Sequence, residues 1–219
     1  MLTFKDISNN EEIRAYIKAG DSVMETIGYT EHSITHAGLV AEKSAGILTW
    51  LGYDERQQEL ARIAGFMHDM GNIVNRIDHA QSGGLMAFRL LDHLGMDPQE
   101  LALIVGAIGN HDEGTGTAIS SVSAALILAD KTDVRRSRVR NDDLIKFDIH
   151  DRVNYAVEHS CLKLMPDKSA AILELTVDTS ISPVMDYFEI FLARMLMCRK
   201  ACEFLKIGFG LEVNGVKLL

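Results

Sequence analysis

From residue 11 to about residue 138, apolar side chains recur at the 3.6-residue spacing of amphipathic helices, and this constrains the chain more than any other feature. Residues 11–27 carry Ile13, Tyr16, Ile17, Val23, Met24 and Ile27 at that period. Residues 32–51 carry Leu39, Val40, Ala41, Ile47, Leu48 and Leu51 before a stop at Gly52. Further helices are expected at about 55–70, 80–94, 98–110 with Pro98 in the first turn, and 120–138 entered through Ser120 or Ser121. The period then changes. Residues 154–164 and 170–178 are apolar, partly alternating runs separated by Pro166-Asp167-Lys168-Ser169, which predicts a hairpin. Ser182-Pro183 opens a long amphipathic helix to about 206, and the tail from Gly208, with Asn214-Gly215, predicts one or two short strands. The expected fold is mostly α: a helical bundle over residues 1–145 and a small α+β appendage over 146–219, made of the hairpin, the long helix and the terminal strands.

Hydrophobic residues make up 47% of the 219, enough for a substantial core. The net charge of −9 argues against a protein that coats a nucleic-acid polymer, which needs a basic face. A small phosphorylated substrate stays open, because metal ions can supply local positive charge. No apolar run approaches the roughly 18–20 residues of a membrane span, and Met1-Leu2-Thr3-Phe4-Lys5-Asp6 has no basic segment followed by an apolar one. Three cysteines, Cys161, Cys198 and Cys202, make a poor zinc site and are expected as free, mostly buried thiols. The cytoplasm is the expected compartment, with no membrane partner.

The chemistry is concentrated in histidines and aspartates that end apolar helices. His68-Asp69 follows Leu60, Ile63, Ala64 and Met67, whose shared face carries the doublet inward. Burying a carboxylate beside an imidazole is costly unless it is paired or binds metal. His32 and His36 stand four apart, His79 precedes a glycine-containing helix, and His111 continues the Ile104–Ile108 face with Asp112 and Glu113 after it. Asp130 interrupts the apolar stretch Ala124–Ala129. Each residue alone has a plainer reading: a core histidine with a hydrogen bond, or an aspartate paired with Lys131 or Arg135. Together they form the donor set that suits zinc, manganese, iron and related ions.

The order His36, His68-Asp69, Asp130 resembles the HD superfamily of metal-dependent phosphohydrolases across about residues 30–140. The resemblance implies that His36, His68, Asp69 and Asp130 hold one metal ion. It implies that His79 and His111 match the extra histidines of members with a second ion. The expected cofactor is therefore a pair of divalent transition metals drawn from iron, manganese, zinc, nickel and cobalt. Asn72 stands where many relatives carry Lys. His111 is followed by Asp112, and no Gly-Tyr-Pro segment follows Glu113, so the chain departs from the cyclic-dinucleotide phosphodiesterase branch.

The expected reaction is hydrolysis of a phosphoester or phosphoanhydride of a small substrate, a nucleotide by preference, through a metal-activated water. Asp69, His32 and Asp112 are the catalytic candidates, and Asn72, Lys131 and Arg135 are the candidates for contacting substrate. Glu113 reads as a solvated loop acid, and most of the run Arg135-Arg136-Ser137-Arg138-Val139-Arg140 as a solvated helix end. Two other functions fit the same residues: a di-iron oxygenase, and a non-catalytic sensing module. In the second, Tyr187, Phe188, Phe191 and Met195 would form a homodimer seam, although such a stripe also serves as intrachain core.

Overall fold

Polar residues just ahead of most of the helices decide where those helices begin. The computed structural model describes residues 1–140 and 149–219, and the expected boundary at residue 145 falls outside them. The helices are α1 (Phe4–Ser8), α2 (Glu11–Thr26), α3 (Ile34–Leu51), α4 (Glu55–Met67), α5 (His79–His93), α6 (Pro98–Gly109), α7 (Ser121–Lys131), α8 (Ile149–Ala156) and α9 (Val184–Phe204). The strands are β1 (Val157–Leu164), β2 (Ala170–Val177), β3 (Gly208–Val213) and β4 (Val216–Lys217). Ser33, Asp54, Asp97 and Ser120 each accept a backbone N–H from the first turn of α3, α4, α6 and α7. Gly52 ends α3 at φ 88°, a left-handed conformation that glycine adopts without strain.

The mostly helical fold with a small sheet matches expectation, and its differences are local. Helix α1 was not anticipated. His32 lies ahead of α3, because Ser33 is the cap, so it does not share a helix face with His36. Helix α7 stops at Lys131 rather than near 138, since the following residues are drawn to other partners. Asp133 bonds to His36, and Arg138 bonds to the segment before α3. Residues 154–156 are the end of α8, not strand.

Strand order is β1-β2-β3-β4. β1 and β2 form the expected antiparallel hairpin, with Leu162 opposite Leu173. β2 and β3 are parallel, Leu173 standing opposite Leu211, and α9 is the crossover that a parallel pair requires. Asn214 and Gly215 both take positive φ in the turn to β4, as an Asn-Gly hairpin turn demands.

Helix α7 is apolar on every side and buried from Val122 to Ala129, the pattern of a central helix packed all round. It contacts α3, α4, α6 and α9. Helix α9 serves two apolar clusters. Its C-terminal half puts Cys198, Ala201 and Cys202 against the helical body. Tyr187, Phe191 and Met195 join Leu173, Leu175 and Val213 against the sheet, so that stripe is intrachain core. Burial of each such large side chain contributes roughly 1.5–3 kcal/mol. The indole of Trp50 also donates to Met165 O (2.9 Å), tying α3 to the hairpin tip. Among the described residues, no helix is long and apolar enough to cross a membrane.

Candidate metal centre

Two close backbone approaches bring the histidines together. Gly65 faces α3, and a Cβ there would lie 2.8 Å from the Cα of Ala41, so glycine lets α4 press His68 against His36. Gly71 sits in the short 3-10 turn Met70–Ile73, where a Cβ would meet His79 O at 1.9 Å. Any side chain at Gly71 would push the start of α5, and His79 with it, away from Asp69.

Every imidazole of the group is oriented by a bond from its Nδ1. His36 Nδ1 meets Asp133 Oδ2 at 2.8 Å, and His68 Nδ1 meets Gly65 O at 2.8 Å. His79 Nδ1 meets Arg76 O at 3.0 Å, and His111 Nδ1 meets Ile108 O at 2.6 Å. These partners are acceptors only, so each Nδ1 carries the proton and each Nε2 lone pair points inward. His32 follows the same rule through Thr30 O (2.6 Å).

The inward atoms gather around Asp69. On its Oδ2 side lie His36 Nε2 (3.6 Å) and His68 Nε2 (3.1 Å), which also face Asp130 Oδ1 at 3.4 and 3.6 Å. On its Oδ1 side lie His79 Nε2 (3.5 Å) and His111 Nε2 (3.9 Å). The Nε2 atoms of His36 and His68 are buried without a hydrogen-bond partner. The Nε2 atoms of His79 and His111 stand 3.2 Å apart with both lone pairs facing, a repulsion that a cation between them would relieve. Two overlapping triads, His36-His68-Asp130 and His68-Asp69-His111, bring one donor atom per residue within 4.8 Å of one another. Imidazole nitrogen and carboxylate oxygen in this number suit a divalent transition metal, so the residues present fit one.

A proton and a metal ion compete for that inward position. Burial opposes a charge on His68, yet Asp69 and Asp130 beside it raise its pKa to about 10, so a metal ion held by His68 would displace a proton from Nε2. Burial likewise opposes ionisation of Asp69 and Asp130. His68 holds Asp69, and Lys131 holds Asp130, well below the usual carboxylate range. Burial lowers His79 and His111, keeping both neutral.

The cluster opens into a cleft of about 580 Å³. Asp69, His79 and Asp130 form part of its floor, and Arg76, Lys131 and Arg194 line its sides. Lys131 is buried and pairs with Asp130 (2.8 Å) and Glu113 (3.1 Å), and Glu113 in turn pairs with Arg194 from α9.

The six expected ligands, His36, His68, Asp69, His79, His111 and Asp130, therefore converge. His32, 8% exposed, lines the same cleft with its ring 5.9 Å from that of His36. Asp112 Oδ1 comes to 3.9 Å from His79 Nε2 with its side chain 29% exposed. Lys131 lines the cleft as expected of a substrate contact. Asn72 and Arg135 differ from expectation, and neither lines the cleft. Asn72 is fully buried and donates its amide to Asp69 Oδ1 (3.1 Å), away from the cleft. Arg135 turns its fork onto Asp133 (2.6 and 3.1 Å), a buried carboxylate that needs the positive charge. Glu113 is not a solvated acid, and the arginine run is not a solvated helix end. Arg136 donates to Tyr155 O at 2.5 Å, and Arg140 pairs with Asp21. Asp133 and Arg194 were missed. Asp133 stands three residues beyond Asp130, a spacing that signals one face only if the helix continues. Arg194 carries no local signal.

Fold and site together define a mostly helical protein with a buried His/Asp group that could hold metal. No family model matches the sequence, and no curated protein matches it. Among solved structures, the chain is similar to a predicted HD superfamily hydrolase from an uncultured Thermotogales bacterium. The two share 27% identity over 57% of this chain and 67% of that one, with a TM-score of 0.45.

Proposed function

We propose that this protein is an HD-type metal-dependent phosphohydrolase that cleaves a phosphoester or phosphoanhydride of a small substrate, a nucleotide by preference. The observation that carries the reading is the convergence of four outward-anchored imidazoles on the two oxygens of Asp69. His36, His68, Asp69 and Asp130 would hold one ion, and His79 and His111, with Asp69, a second. The ions drawn to such a set are iron, manganese, zinc, nickel or cobalt. When bound, they supply Lewis acidity, which lowers the pKa of a water and offsets charge on phosphoryl oxygens.

The chain's own groups do the rest. Asn72 steadies Asp69 through its 3.1 Å bond, so both carboxylate oxygens keep their directions. Asp133 does the same for His36 at 2.8 Å. Lys131, clamped between Asp130 and Glu113, holds a fixed ammonium donor at the cleft wall, its charge offset by those carboxylates. Asp112, 29% exposed and 3.9 Å from His79, would accept a proton, and His32 lines the cleft.

The test is phosphate or nucleotide release from mononucleotides, cyclic dinucleotides and dinucleoside polyphosphates with manganese, iron(II), cobalt or magnesium, with His68→Ala as the blank. Metal-dependent release that His68→Ala lacks is the expected result. Silence across the panel, from protein shown to contain metal, rejects hydrolysis. Oxygen consumption in its place assigns an oxygenase.

A further inference from the structure

Four basic side chains line the cleft, and they fall into two kinds. Lys131 and Arg194 are neutralised by carboxylates at contact distance, Asp130 and Glu113. Arg76 and Arg138 are not: among the described residues, neither has a carboxylate partner. Arg138 is only 5% exposed, yet its guanidinium meets backbone carbonyls alone, donating to Glu31 O (3.0 and 2.8 Å) and Asp133 O (2.9 Å). Those three bonds leave two of its five N–H groups over. Arg76 touches His79 Nε2 (3.2 Å) and Asn72 Oδ1 (3.5 Å), both uncharged, and lies 5.8 Å over the Tyr29 ring.

A buried guanidinium without a counter-charge is costly, and the sequence has several ways to avoid it. It uses one for Arg135, which has Asp133. Arg138 draws on the carboxylates of Asp133, Asp130 and Asp69 only at longer range. Asp133 is already engaged by His36, Lys43 and Arg135. The other two are the residues that a metal ion would neutralise. Arg76 and Arg138 both border the cleft, and His32 lines it with them. Two planar donors facing one opening, each with spare N–H groups, match the oxygens of a tetrahedral oxyanion.

We propose that Arg76 and Arg138 form an oxyanion subsite beside His32, which binds a phosphate group of the substrate at the edge of the His/Asp cluster. That the bound phosphate belongs to the substrate rests on the hydrolase reading above, whereas the oxyanion site itself does not. Arg138 also fastens the segment before α3, so it is both receptor and staple. Arg76 is half-buried, fastens nothing comparable, and gives the cleaner variant.

The experiment measures binding of inorganic phosphate by calorimetry, with and without manganese, to the full chain and to Arg76→Gln and Arg138→Lys. Circular dichroism and melting establish that each variant is folded. Arg76→Gln is expected to weaken phosphate binding at least about tenfold, the scale of one charge-assisted hydrogen bond. Arg138→Lys keeps the charge but loses the fork and is expected to weaken binding by a similar factor. If Arg138→Lys fails to fold, Arg76→Gln decides alone. Unchanged phosphate affinity in folded Arg76→Gln overturns the subsite, even if the protein hydrolyses phosphoesters. Arginine-dependent phosphate binding in a protein that hydrolyses nothing keeps the subsite and rejects the hydrolase.

Discussion

The two sides of Asp69 are built differently. On the Oδ2 side, His36 and His68 are fully buried, their Nε2 atoms have no hydrogen-bond partner, and Asp130 closes the group. One outer partner there is a carboxylate, Asp133, itself held by Arg135 and Lys43. On the Oδ1 side, His79 and His111 are anchored only by backbone carbonyls. Their Nε2 atoms face each other, and Arg76 leans on His79 from the cleft. A charged outer partner raises the basicity of its imidazole, and a guanidinium at the donor atom competes with any cation. The closed side should therefore bind metal first and more tightly, and the open side second, where substrate enters.

The most severe break is Asp69→Ala, which removes the carboxylate common to both sides. Metal content and turnover should both vanish while the far-UV circular dichroism stays helical. A metal-loaded, active variant would dissolve the distinction and the mechanism with it. His68→Ala and His111→Ala come next and sharpen it. Manganese at about 100 times its Kd should stabilise the wild type by roughly 2.7 kcal/mol, and chelator should reverse this. His68→Ala should lose nearly all of that gain in melting temperature, and His111→Ala only part. Equal losses would show that the two sides are equivalent. Asp133→Asn tests the outer partner alone. It should cost about 10–100-fold in metal affinity, read by chelator competition, with little change in the protein's helical content. The smallest effect belongs to Arg194→Ala on the far wall, where the Glu113 pair is partly exposed. A change of at most about 1 kcal/mol in stability is expected, read by denaturant melts.

The parts of this protein that were legible in its sequence are those governed by short-range rules. The starts of α6 and α7 followed from Pro98 and Ser120, because a first-turn proline and a capping side chain act on amides one to three residues away. The hairpin and the Asn214-Gly215 turn followed from local backbone preference. The six inward-facing histidines and aspartates were legible because a polar residue on an apolar helical face is carried into the core with its neighbours. What tertiary structure alone decided involves partners far apart in the chain. The parallel seating of β3 on β2 depends on how α9 crosses over. The end of α7 was set by Asp133 and Arg138 bonding to residues about a hundred positions earlier. Asn72 and Arg135 were read as substrate contacts although Asp69 and Asp133 stand only three and two positions away, because packing between elements decides whether a side chain turns to its neighbour or to the cleft. Arg194 reaches Glu113 across 81 positions, so its place at the cleft exists only in the folded chain. Periodicity specifies which face of an element turns inward, but which charge meets which depends on packing between elements, where no sequence spacing applies.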